Sequence, residues 1–277
     1  MKENIYVSRG IPGCIKEATS MFHGNLKTIA KQTLWPILCF AISFTVIFFT
    51  QIPDKHIYTL GMTHIWYALA TMAIAYIALY ISAIWLTARI VTLINGMSMK
   101  KNFMRCVVPT ISTGMLCEVV RLIMFGSIGK FIGNAMSTMG LSPTTMDILN
   151  PLIQIAIVLL LVFLLLPFDY VFTKYLIEGK EPLGKNLGTS YVVGIRHWGF
   201  LFIANFIPFI ILAVMMSVAM LPLTILLIAH IQNTLGIING DPDGTFSYFL
   251  LIFFLISVIS FCITTYISLW KFFVSTY

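Results

Sequence analysis

The sequence predicts an all-α, polytopic helical membrane protein, with six transmembrane helices and cytoplasmic amphipathic interfacial helices. Three observations predict it. Of the 277 residues, 59% are apolar and only 10% charged, where a soluble domain carries about 45 to 50% and about 25%. The mean hydropathy is +0.95. Apolar runs of about 20 residues, the length that crosses about 30 Å of hydrocarbon, recur along the chain. The net charge of +7 does not point to nucleic acid, because so few polar residues leave no soluble face for a basic groove.

Taken in order, residues 1–33 form a cytoplasmic amphipathic segment. Ile11, Ile15, Ala18, Phe22, Leu26 and Ile29 step by the helical period, with Lys16 and Lys27 off that stripe. Such a helix is expected to lie on the membrane surface, and Lys16, Glu17, Lys27 and Lys31 interrupt any run that would serve as a secretory signal. The spans follow at Leu34 to Ile52, Ile65 to Ile84, Val107 to Phe125, Ile148 to Leu166, Gly199 to Met220 and Tyr248 to Leu269, within a single membrane domain whose spans occupy 34–269 and whose tail is 270–277. The second is expected to continue as helix toward Arg89 and the fourth toward Lys174. Residues 199–232 are apolar throughout and would measure about 51 Å as one helix, so a break is expected at Pro208 or Pro222. The piece from Leu223 to Ile231 is then interfacial or re-entrant, or else it forms a seventh span.

Basic residues fix the expected orientation. Lys2, Arg9, Lys16, Lys27, Lys31, Arg89, Lys100, Lys101, Arg105, Lys174, Lys180, Lys185, Arg196 and Lys271 fall on one side, Lys55 and Lys130 on the other, and Arg121 inside a span. Cytoplasmic loops retain Lys and Arg, so both termini are expected in the cytoplasm. Trp66, Tyr67, Trp85, Trp198 and Trp270 fall near span ends, as an aromatic belt does.

A basic amphipathic segment precedes each odd-numbered span. Before the fifth it carries Leu183, Leu187, Tyr191, Ile195 and Trp198 with Lys185 and Arg196; before the third, 97–106 is a shorter version. Residues 19–27 and 189–197 share Thr, Ser and Gly at an offset of 170, and Pro36, Pro109 and Pro208 come early in the odd spans. An internal repeat of surface helix and span hairpin is one reading, and chance recurrence of small polar residues at interfaces is the other. The stretch SYVVGIRHWGFLFIANFIPFIILA, with six spans and cytoplasmic amphipathic segments, resembles the bacterial YciC-like and glycerophosphodiesterase-type membrane-domain proteins around 15–50 and 183–215. The resemblance implies a helical domain of the bacterial cytoplasmic membrane and no catalytic residues.

The candidate site residues are Glu118, Arg121, Asp169, Arg89 and Asn205. Glu118 lies 11 residues past Val107, about 17 Å into the bilayer, and shares a helix face with Arg121 three residues on. Thr110, Gly114 and Cys117 extend that face as a small, polar strip. The pair is either a structural lock between spans or a substrate or proton site, since ionisable groups at this depth are costly. Asp169 and Arg89 sit near cytoplasmic span ends, where they bridge each other or meet headgroups; Asn205 and Gln154 read as interhelical hydrogen-bond partners. The acids of 239–244 read as a turn rather than a calcium loop. The five cysteines and five histidines are scattered, and no nucleotide, hydrolase or zinc motif is present, so no metal or cofactor is expected. The function expected is that of a non-enzymatic membrane component: a small transporter, a lipid-handling protein or a complex subunit. Its expected partners are membrane lipids, including anionic headgroups at the basic segments, and a homo- or hetero-oligomer; the alternative is an intramembrane enzyme acting on lipid.

Overall fold

The computed structural model describes residues 10–52, 62–138, 142–179 and 182–276. Lys2, Arg9, Lys55, His56 and Lys180 lie outside them, as does the side chain of His64. The described residues are helical without a strand: α1 (Ile11–Gly24), α2 (Leu26–Gln51), α3 (Met62–Asn95), α4 (Met99–Phe125), α5 (Ser127–Thr138), α6 (Pro143–Glu178), α7 (Leu183–Arg196), α8 (Trp198–Ile238) and α9 (Phe249–Thr276). Six of them, α2, α3, α4, α6, α8 and α9, are long and apolar enough to cross a membrane. All six expected spans are therefore present, and the chain is an integral membrane protein. The helices outrun the apolar runs, because helix hydrogen bonding does not stop where hydrocarbon does: α3 continues past Arg89 to Asn95 and α6 past Lys174 to Glu178.

The described chain forms two compact units, Met1–Phe103 with Ala204–Tyr277, and Met104–Ile203. In the first, α2 packs on α3 and α9, and α1 on α9. Its core gathers Ala41, Ile52, Leu223, Phe249, Phe253 and Phe261, tightened by edge-on rings such as Phe44 on Phe261 at 4.6 Å. With lipid as solvent, dispersion and close fit hold such a core more than water exclusion does. Buried hydroxyls satisfy themselves on their own helix: Thr45 donates to the Ala41 carbonyl at 2.8 Å and Ser257 to that of Phe253 at 2.7 Å. In the second unit α5 and α7 both pack against α6.

Two differences from the sequence expectation have clear causes. First, α8 runs unbroken through Pro208 and Pro222 for 41 residues, so the expected break is absent and Leu223 to Ile231 continues the same helix. Each proline removes one backbone hydrogen bond, and a long apolar helix retains enough others to continue. Second, the stripe of 11–29 divides. Asn25, at φ −113° and ψ 11°, ends α1 by directing both its backbone N–H and its side-chain amide to the Met21 carbonyl, and Leu26 and Ile29 belong to α2. Nor does the middle of the stripe face outward. Ala18 and Phe22 are buried, with Phe22 against Tyr266 and Phe273 at 6.1 and 5.6 Å, and the Trp270 indole donates to Thr19 Oγ1 at 3.0 Å. The 97–106 segment is the first part of α4 and makes no separate helix.

α1 and α7 match closely in geometry. Each has 14 residues and ends at one non-helical residue, Asn25 or His197, whose N–H meets the two carbonyls two and four residues back. Ile11 and Leu183, Gly24 and Arg196, and Asn25 and His197 each stand 172 residues apart. The shared Thr, Ser and Gly stand 170 apart, so side-chain identity and helix geometry are displaced by about half a turn.

Candidate functional site

Glu118 and Arg121 sit one turn apart on α4, and Arg121 Nε donates to Glu118 Oε2 at 2.7 Å. The i,i+3 spacing makes this pairing local to the helix. The Arg121 and Glu118 side chains are 42% and 34% exposed, so the pair is not sealed inside its unit. Around them Thr110 and Gly114 are half-buried and Cys117 is exposed. α4 continues through Pro109, four residues before Thr113, whose hydroxyl donates back to the Pro109 carbonyl at 2.8 Å.

The other expected site residues stand on other helices. Asp169 is exposed on α6, two residues past Pro167, in the second unit, whereas Arg89 is half-buried on α3 in the first. Arg89 Nε is buried without a hydrogen-bond partner among the described residues. Asn205 is half-buried on α8, three residues before Pro208. Gln154 is buried and donates to Asn150 Oδ1 at 2.9 Å, and Asn150 in turn lies where a Cβ on Gly133 of α5 would meet its amide nitrogen at 3.3 Å. α5 itself was not expected; it occupies the connection that carries Lys130.

Three polar arrangements are invisible to span counting. At the α3–α4 turn, Asn95 and Asn102 are buried and exchange amide hydrogen bonds at 3.0 Å in both directions. Asn102 also donates to Thr92 Oγ1 at 2.9 Å, Met97 N–H donates to Asn95 Oδ1 at 2.8 Å, and Gly96 takes the left-handed φ of 69° that closes the turn. Sequence reasoning missed this site; the Asn95-Gly96 dipeptide is a turn signal that could have marked it, whereas Asn102 carries none. At the end of α6, Arg105 donates to the Gly179 carbonyl at 2.8 Å and to the Tyr175 carbonyl, with its guanidinium 4.0 Å from the Tyr175 ring centroid. A cation on the last free carbonyls of a helix complements its dipole.

The third arrangement surrounds Pro167. Lacking an N–H, this proline leaves the Phe163 carbonyl, four residues back, without its helical donor. The Trp198 indole N–H fills that vacancy at 3.1 Å, and Tyr191 Oη donates to the neighbouring Leu164 carbonyl at 3.3 Å. α7 approaches closely enough for this because Asn186, Ser190 and Gly194 form its buried face, and a Cβ on Gly194 would meet Pro167 Cβ at 3.0 Å.

At the end of α8, Gly240 at φ 97° and the hydrogen bonds Gly240 N–H to Ile237 and Asp241 N–H to Gly236 build a Schellman cap. Asp243 Oδ1 accepts from Asn233 and from both the N–H and the hydroxyl of Thr245, so the acidic loop is a turn held by its own side chains. Among the described residues no three His, Cys, Asp or Glu side chains gather as metal ligands. No protein-family model, curated protein sequence or solved structure matches this chain.

Proposed function

We propose that this chain is a non-enzymatic protein of the bacterial cytoplasmic membrane, with both termini cytoplasmic, that passes a small ionic or polar solute along the Glu118–Arg121 face of α4. One observation carries the reading: an ion pair on a span helix keeps a third or more of each side chain exposed. Charge exposed to hydrocarbon is costly, so ionisable groups within spans face water, one another or a polar partner. The local pairing at 2.7 Å neutralises both charges without burying them, and the small side chains of Thr110 and Gly114 on the same face leave room for water. The lopsided distribution of Lys and Arg supports the orientation, and the YciC-like resemblance supports a bacterial membrane.

Cys117, exposed and four residues before Arg121, is a native reporter of this face. With Cys14, Cys39 and Cys262 replaced by Ala, and Cys106 left in place because it is fully buried, a charged thiosulfonate applied to membranes should modify Cys117. Glu118→Gln should leave the protein folded while changing solute flux in proteoliposomes. If only a lipid-soluble maleimide reaches Cys117, the face is dry and the transport reading fails.

A further inference from the structure

The geometry points to α7 as a docking surface for the anionic lipid headgroups of the membrane that the protein spans, an assignment independent of the transport reading. The helix divides into three faces. Asn186, Ser190 and Gly194, spaced by four, are buried and face α6. About a third of a turn away lie Leu187 and Tyr191, half-buried, and Ile195, 53% exposed. Lys185 and Arg196 project together on a third side, both exposed, and α7 carries no acid. An apolar face beside a basic face is what an interfacial helix presents to a monolayer, the first entering the acyl boundary and the second the headgroups.

Two further features select this occupant. α7 is held between the C-terminal end of one apolar span helix, α6 at Glu178, and the start of another, α8 at Trp198, so it is tethered where spans leave the hydrocarbon. It is also pinned there by Trp198 and Tyr191 on the α6 carbonyls beside Pro167, which fixes its rotation with Tyr191 at the edge of the contact and Ile195, Lys185 and Arg196 left exposed. α1, its geometric counterpart, packs Phe22 against α9 and exposes Pro12, Lys16, Ser20 and His23 instead, with no exposed aliphatic or aromatic residue among its described side chains to match Ile195. The lipid surface therefore belongs to α7 and not to both helices.

The test uses the full chain in nanodiscs containing equal phosphatidylglycerol and phosphatidylcholine, with a bimane label at Ile195→Cys and the accessible native cysteines removed. Bromine is placed on the acyl chains of one lipid and then of the other. Each cation near an anionic surface favours the anionic lipid by about fivefold, so brominated phosphatidylglycerol should quench the label more strongly, with a relative association of at least about fivefold. Lys185→Gln with Arg196→Gln should bring that ratio close to one. Raising the salt to about 1 M on the unsubstituted background should lower it in the same way, which covers the case in which the double variant fails to fold. Equal quenching by both lipids overturns the assignment. Quenching by neither overturns it as well, because the outer face of α7 would then lie in water or against a protein.

Discussion

Gly188 and Gly194 lie on one helix and differ in what a methyl group would meet: open space at the first and Pro167 Cβ at 3.0 Å at the second. Gly188→Ala should stabilise by about 0.5 to 1 kcal/mol through backbone entropy. Gly194→Ala gains the same entropy but overpacks a rigid ring, and should lose about 1 to 3 kcal/mol net. Thermal unfolding in one detergent compares the two, and equal shifts would show that α7 does not touch α6 at this point. Asn102→Leu should cost about 1 to 3 kcal/mol by the same assay, since it strips a partner from the Asn95 amide in a buried turn. For Glu118 and Arg121 the spacing was legible in the sequence, but the degree of burial was not. A double-mutant cycle should give a coupling below about 1 kcal/mol if water bathes the pair, and about 3 kcal/mol or more on single replacement if it is sealed. The role of Arg105 was illegible for a different reason: its acceptors on Tyr175 and Gly179 are 70 and 74 residues away, and in the sequence it reads only as one more cytoplasmic cation.

At the scale of elements, hydropathy was sufficient to find the six spans, because each needs only length and apolar composition. It misplaced whatever depends on neighbours. The stripe of α1 was correctly periodic, yet periodicity does not say whether lipid or α9 receives it. Proline was read as a break at 208 and 222 because its local cost is real, but the sequence does not show how much remaining helix opposes that cost. α5 escaped notice because a 12-residue helix is too short to span. The donors around Pro167 give an element-level prediction. Trp198→Phe keeps the ring contacts with Phe163 and Phe202, at 4.2 and 5.2 Å, and removes only the N–H to the Phe163 carbonyl. It should cost about 0.6 to 2 kcal/mol in a nanodisc melt. In a variant where Pro167→Ala restores the helical donor, the same substitution should cost much less, because the carbonyl is then already satisfied.

At the scale of the whole molecule, the proposed topology puts the basic loops of a six-span chain on one side. α8 is the element on which this turns, because an unbroken helix from Trp198 to Ile238 leaves one crossing where a broken one permits two. The measurement that tests this most directly is accessibility of single cysteines in sealed, right-side-out membranes. Lys130 and Asp241 are both exposed, on α5 and on the loop after α8; Lys100 and Lys185 are exposed on α4 and α7. Lys130→Cys and Asp241→Cys should react with an impermeant maleimide from outside, while Lys100→Cys and Lys185→Cys should react only after the membrane is opened. Labelling of Lys185→Cys from outside would contradict the account, since it would place α7, the basic loops and the start of α8 on the wrong side of the bilayer.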